Sequence, residues 1–159
     1  MKPLLVGLDN PHGTSHLQAL LPVPKGCTGD RLRKMIAEYR KPFTVSDYMK
    51  SFDRINLYPH FRAASGKGAF KFDRAMAQWL LVYVIDRGYD DVFLLGNRVQ
   101  AAMSHHVGLT CEDLETTEYT RPDGSTMRFH CFPHPSGRNT KYNDREFRME
   151  AARCLTYFI

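Results

Sequence analysis

The stretch KFDRAMAQWLLVYVIDRGYDDVFLLGNRVQAAMSHH, Lys71 to His106, decides the fold. Its first half, Lys71 to Gly88, predicts one long helix that stops at Gly88, because glycine readily takes the left-handed conformation that closes a helix. DDVFLLGN, Asp90 to Asn97, then predicts a strongly buried strand, and RVQAAMSHH, Arg98 to His106, a short helix behind it. Helix, buried strand and helix in succession point to a largely parallel sheet covered by helices. The flanking segments fit the same plan. PLLVGLD, Pro3 to Asp9, is a short buried strand that breaks at Asn10-Pro11. Gly29 to Arg40 places Leu32, Met35, Ile36 and Tyr39 at helical spacing and ends before Pro42. Phe52 to Pro59 alternates like a strand, and Glu115 to Phe132 reads as two strands around Pro122-Asp123-Gly124. Asn143 to Phe158 closes the chain as an amphipathic helix, with Asn143 as cap and Glu146 three residues later. The expectation is a three-layer α/β/α sandwich around a central, mainly parallel four-stranded sheet, in one domain spanning residues 1–159. Trp79, inside the long helix, reads as a core residue.

Composition narrows the function classes. At 159 residues, with 43% hydrophobic and 25% charged residues, the chain is long enough for one packed core. The formal net charge of +5 favours a polyanionic partner such as nucleic acid without requiring one. Cys27, Cys111, Cys131 and Cys154 form no CxxC pair, which argues for free thiols in a reducing compartment. The apolar run at the N-terminus is too short for a signal peptide, and nothing later approaches the roughly 20 apolar residues of a membrane span. A cytoplasmic location and a monomer are therefore expected. His105-His106 lacks a third ligand, so no metal is expected, and no P-loop is present.

In such sheets functional groups collect at the carboxyl ends of strands, here Asp9 to Gly13, Asn56 to Pro59 and His134 to Asn139. GLDNPHG sets Asp9, Asn10 and His12 around Pro11, between Gly7 and Gly13. A carboxylate there can orient a water or stabilise a cation in a transition state, while an Asx-turn leaving the strand is the plainer alternative. Asn56 offers one acceptor and two donors, enough to read the edge of a pyrimidine, or to tie down a neighbouring loop. In HPSGRN, His134 can donate to an anionic leaving group, Ser136 and nearby amides can hold a phosphate, and Arg138 can meet the backbone or enter a groove. A loop stiffened by prolines is the alternative for that segment. FRAASGKGAFKF, Phe61 to Phe72, carries Arg62, Lys67 and Lys71, suited to touching phosphates or simply to facing solvent.

Taken in order, these segments resemble the uracil-DNA glycosylase superfamily. Gly7-Leu8-Asp9-Asn10-Pro11 is similar to its water-activating motif and Asn56 to its base-reading asparagine. VFLLGNRVQAAM, Val92 to Met103, is similar to its glycine-ended hydrophobic strand, and His134-Pro135-Ser136-Gly137 to its closing loop. PVPKGCTGDRLRKM, Pro22 to Met35, looks like the glycine-rich lead into that superfamily's first helix. The resemblance implies an enzyme that flips a nucleotide out of DNA and hydrolyses its N-glycosidic bond without a metal or organic cofactor. It implies that Asp9 or Asn10 positions the attacking water and stabilises the sugar cation, and that His134 stabilises the departing base. Asn56 and His12 would face the base. Ser136, Gly137, Arg138, Asn139 and Lys67 would contact DNA, with Arg138 as the wedge that fills the vacated stack.

The departures from that pattern bear on substrate. Spacing from Gly7 favours Asp9 as the catalytic residue and adjacency to Pro11 favours Asn10; Asp9 is the stronger electrostatic stabiliser. The bulky tyrosine that excludes C5-substituted bases in the classical branch is replaced by His12. The usual base-stacking aromatic would fall near Pro24 and is missing, with Phe43, Tyr48 and Phe52 as substitutes or as core residues. A pocket so opened can take a modified pyrimidine of the kind bacteriophage DNA carries. The competing expectation is a non-catalytic nucleic-acid binder that keeps the fold.

Overall fold

DVFLL is apolar on both faces of a strand, so it requires cover on both sides, and the fold supplies it. The structure, a computed structural model, describes residues 1–10, 15–136 and 138–159. Strand β1 is Leu4–Gly7, helix α1 Thr28–Tyr39, α2 Val45–Ser51 and strand β2 Asp53–Asn56. Helix α3 is Ala69–Arg87, strand β3 Asp91–Leu95 and helix α4 Asn97–Val107. Strands β4, Thr116–Thr120, and β5, Thr126–Phe132, and helix α5, Arg145–Thr156, complete the chain. The sheet order is β2-β1-β3-β5-β4, with β2, β1, β3 and β5 parallel and β4 antiparallel to β5. The sheet thus has five strands, one more than the four principal strands expected. The fifth is the antiparallel edge strand β4, the first of the two strands read around Pro122-Asp123-Gly124, and its side chains are alternately exposed and partly buried.

Strand alternation divides the core into two layers. Leu4, Val6, Val92 and Leu94 pack with Ala77, Leu80 and Val84 of α3 and Val99, Ala102 and Met103 of α4. Leu5, Phe93, Leu95 and Phe132 pack on the other face with Leu32 and Ile36 of α1, Tyr48 of α2, and Ala151, Ala152 and Leu155 of α5. Because four strands run the same way, their carboxyl ends share one edge, where Leu8 to Asn10, Asn56, Gly96 and the segment after Phe132 emerge. No helix among the described residues is long and apolar enough to cross a membrane, and the cysteines are free thiols.

Three local readings change. Helix α2 falls between the expected elements; Thr44 and Asp47 form a reciprocal capping box that starts it. The cap of α5 is Asp144, whose side chain accepts from the Glu146 amide, because Asn143 is already the end of a 3-10 turn over Thr140–Asn143. Trp79 is exposed, stacked on Tyr83 at 5.3 Å between ring centroids, because the buried stripe of α3 runs through Asp73, Ala77, Leu80 and Val84.

Gly29 sets how closely α1 meets the segment before it. A Cβ at that position would lie 2.2 Å from the Leu21 carbonyl oxygen and 2.3 Å from that of Leu20. The same segment is pinned by Tyr48, whose hydroxyl donates to the Leu20 carbonyl at 2.9 Å, and by Cys27, whose thiol donates to that of Leu21 at 3.1 Å. Gly29→Ala is expected to destabilise the protein by about 2–3 kcal/mol, the upper range for overpacking, measured from the urea unfolding midpoint. A shift within about 0.5 kcal/mol, the range of ordinary surface changes, would contradict this packing.

Candidate functional site

At the shared edge of the sheet a cleft of about 820 Å³ is lined by residues from each of the three predicted strand ends. Asp9, Asn10, Asn56, His134, Ser136 and Arg138 all face it. The remaining walls are the apolar segment Leu20, Leu21, Val23 and Pro24, the first turn of α1 and the first turn of α4.

Asp9 sits two residues beyond β1 and its Oδ2 accepts a hydrogen bond from the Ala63 amide at 2.7 Å. The loop that carries that amide is held in place by an ion pair whose acid is buried. Arg98, in the first turn of α4, donates to both Asp73 carboxylate oxygens at 2.7 and 2.9 Å and to the Ala64 carbonyl. Tyr58 adds a short hydrogen bond to Asp73. Asp73 is 2% exposed. Burial alone would raise its carboxyl pKa, but the bonds from Arg98 and Tyr58 outweigh burial and hold it below the ordinary carboxylate value. The loop from Leu57 to Gly68 is therefore clamped to α3 and α4, and through Ala63 it fixes Asp9.

Asn56 ends β2, is 3% exposed, and lines the cleft. Gly7 stands beside it in register, and a Cβ on Gly7 would lie 2.6 Å from Asn56 Oδ1. Glycine is thus needed at that position to let the amide lie across the end of β1. Among the described residues the Asn56 side chain makes no hydrogen bond. An amide so nearly buried with all its polar capacity unused is costly in a folded protein unless a ligand or water uses it.

His134 follows β5 and packs on Gly96, where a Cβ would lie 3.3 Å from His134 Cβ. The positive φ of 98° at Gly96 is itself a glycine conformation. Gln100 of α4 donates to the carbonyls of Leu94 at 3.1 Å and Phe132 at 2.8 Å, joining the ends of β3 and β5 just beneath His134. Burial lowers the His134 pKa below the ordinary histidine value, which favours the neutral ring with one N–H to donate. Its ring makes no hydrogen bond among the described residues.

The other expected residues are distributed unevenly. Ser136 is partly buried and Arg138 exposed, both on the cleft; Asn10 donates to Gln18 Oε1 at 3.2 Å at its rim. Asn139 lies off the cleft. Its Nδ2 donates to the His134 carbonyl at 3.1 Å and its Oδ1 accepts from the Lys141 amide at 3.1 Å, so its amide braces the loop rather than presenting itself to a ligand. Lys67 is exposed ahead of α3 and does not line the cleft. His12 and Gly137 lie outside the described residues. Phe43, Tyr48 and Phe52 are core side chains, and no Phe, Tyr or Trp lines the cleft among the described residues. Arg98, Gln100 and Ala63 were not singled out by the sequence, because their partners lie far along the chain. Among the described residues no group of three His, Cys, Asp or Glu is placed to hold a metal ion.

The arrangement offers a fixed carboxylate, and an amide and a neutral imidazole that are both without a partner among the described residues. Around them stand Arg31, Arg98 and Arg138 and the first turns of α1 and α4, where main-chain amides favour negative charge. The chain matches no protein-family model and no curated protein.

His130, buried against Asp91 and Phe93, is a second histidine with a lowered pKa; burial lowers it, and the Asp91 carboxylate opposes that only in part. Both histidines are expected to titrate below the ordinary value of about 6.5 by NMR. Their depressed values favour the neutral folded form, so the stability they contribute is present above pH ~6.5 and lost as pH falls below it. A His134 value at or above 6.5 would contradict the burial that defines this side of the cleft.

Proposed function

We propose that the protein is a DNA glycosylase that hydrolyses the N-glycosidic bond of a flipped-out pyrimidine and leaves an abasic site. The observation that carries the reading is the meeting of Asp9, Asn56 and His134 in one cleft, with the Asn56 amide and the His134 ring both unpartnered among the described residues. Residues 9, 56 and 134 come from three separate strand ends, and the chemistry requires all three groups at one nucleotide. The resemblance of the surrounding motifs to the uracil-DNA glycosylase superfamily supports the same reading.

In this mechanism the base enters the cleft and its hydrogen-bonding edge pairs with the Asn56 amide, whose two donors and one acceptor suit a pyrimidine. The bond between C1′ and the base nitrogen breaks, and its electron pair leaves with the base. The neutral His134 ring donates a hydrogen bond to the resulting anion; an imidazolium is not needed, and burial disfavours it. Asp9, steadied by the Ala63 amide through Oδ2, stabilises the sugar cation and orients the water whose oxygen bonds to C1′; the proton that water loses passes to the Asp9 carboxylate and balances the one the departing base anion takes up. Asn10 stands beside it on the same cleft and can share the positioning of that water. Ser136 holds the DNA backbone, and Arg138, exposed at the rim, fills the gap left in the stack.

The wall of Leu20, Leu21, Val23 and Pro24 has no aromatic lid among the described residues, and the cleft of about 820 Å³ exceeds what an unsubstituted pyrimidine fills. A pyrimidine carrying a bulky C5 substituent is the substrate this shape favours.

The test is formation of alkali-labile sites in oligonucleotides carrying uracil, a T:G mismatch or 5-substituted pyrimidines, with mass spectrometry of bases released from modified phage DNA. Asp9→Asn, Asn56→Ala and His134→Ala are each expected to lower the single-turnover rate about 10²–10³-fold, the usual loss for one electrostatic stabiliser. Binding of these DNAs with no abasic product from any of them would replace this reading with that of a non-catalytic nucleic-acid binder.

A further inference from the structure

The region between Asp53 and Asp86 has a charge pattern that the cleft chemistry does not use. It contains Arg54, Arg62, Lys67, Lys71 and Arg74 and a single acid, Asp73. Asp73 is buried and neutralised by Arg98, so it contributes no exposed negative charge. Among these cations stand three exposed phenylalanines, Phe61 at 55%, Phe70 at 49% and Phe72 at 63% exposure. Aromatic rings are costly to leave in water, and exposed rings set among cations within one short segment mark a binding surface, with Phe70 and Phe72 on different flanks of α3. Their supports are ordered: the Phe61 ring packs edge-on to Tyr58 at 6.0 Å, and the Arg74 guanidinium lies 5.2 Å over the Phe70 ring.

This surface is also mechanically continuous with the cleft. Ala63 binds Asp9, Ala64 and Asp73 bind Arg98, Arg62 and Phe72 are their immediate neighbours in the chain, and Phe61 is one residue further. We propose that residues 61–74 form a stacking ledge for single-stranded DNA, which carries the strand flanking the nucleotide in the cleft. Exposed phenylalanine faces can stack on unpaired bases, while Arg62, Lys67 and Lys71 meet the phosphates between them. A duplex keeps its base faces internally stacked and offers these rings nothing, so the ledge selects single strands. The assignment to the strand beside the target nucleotide rests on the glycosylase reading; the ledge itself does not.

The apolar stripe continues to Trp79, seven residues beyond Phe72 on the same helix face and about 10 Å away along the axis. Self-association of the protein through α3 is the occupant that competes with DNA.

The experiment measures fluorescence anisotropy of an unmodified labelled single strand, a thymidine homopolymer, and of an undamaged duplex, neither of which requires excision. Single-strand affinity is expected to exceed duplex affinity. Phe61→Ala and Phe72→Ala, both at exposed positions, are each expected to weaken single-strand binding about tenfold or more while leaving duplex binding unchanged. Neutralising Lys67 and Lys71 is expected to weaken binding to all single-strand sequences alike and to reduce the salt slope by about 0.7 per phosphate contact. Equal affinity for the two forms, or unaltered affinity in the phenylalanine variants, overturns the ledge. So does a dimer in sedimentation that Phe72→Ser dissociates without changing DNA affinity. Abasic-site formation in a protein that fails these tests would leave the glycosylase reading standing, and a ledge that passes in a protein that releases no base would refute that reading alone.

Discussion

The Arg98–Asp73 pair is the interaction on which the rest of the site depends. A carboxylate as buried as Asp73 is tolerable only when its desolvation is offset by a well-formed partner and further hydrogen bonds, and Arg98 and Tyr58 supply them. Arg98 belongs to the first turn of α4, Asp73 to α3 and Tyr58 to the loop after β2, so one charge pair locks three elements together. Its Nη2, which also bonds Asp73, holds the Ala64 carbonyl, one residue from the amide that fixes Asp9. The position of the carboxylate on one side of the cleft is thus set by a contact on the far side of the loop.

The opposite side is built differently. There the ends of β3 and β5 are joined by Gln100, and His134 rests on Gly96, a position where a side chain would crowd the imidazole. Asn139 and Tyr142 brace the following loop through the carbonyls of His134 and Pro133. Neutral hydrogen bonds and close backbone approach position the histidine, and burial is the cause that sets its protonation.

What was legible in the sequence follows the range over which each signal acts. The buried strand over Asp91–Leu95 and the helix ending at Gly88 were clear because an apolar run and a left-handed glycine declare themselves within a few residues. Asp9, Asn56 and His134 were found because parallel strands put their carboxyl ends on one edge, so three local readings converged. Helix α2 was missed although Thr44 and Asp47 carry its capping box, because it is only seven residues long and follows a proline. Trp79 was misassigned because an almost uniformly apolar helix conceals which face is buried. Arg98 had no local sign of its role, since its partner lies 25 residues away. The polarity of Asn139 was visible locally, while the His134 carbonyl to which it donates was not.

The order of strands in the sheet has a consequence for how the protein is made. Strand β1 lies between β2 and β3, and β3 in turn pairs with β5, so the central strands find their last neighbour only when residues 126–132 have joined. Such non-local pairing is slow to form, because loop closure precedes any reward from contact. A growing chain on the ribosome holds Asp9 and Asn56 long before His134 exists, and for that interval one side of the cleft has nothing across the gap. The cleft therefore comes into being only when β5 has joined β3, as the product of a completed sheet.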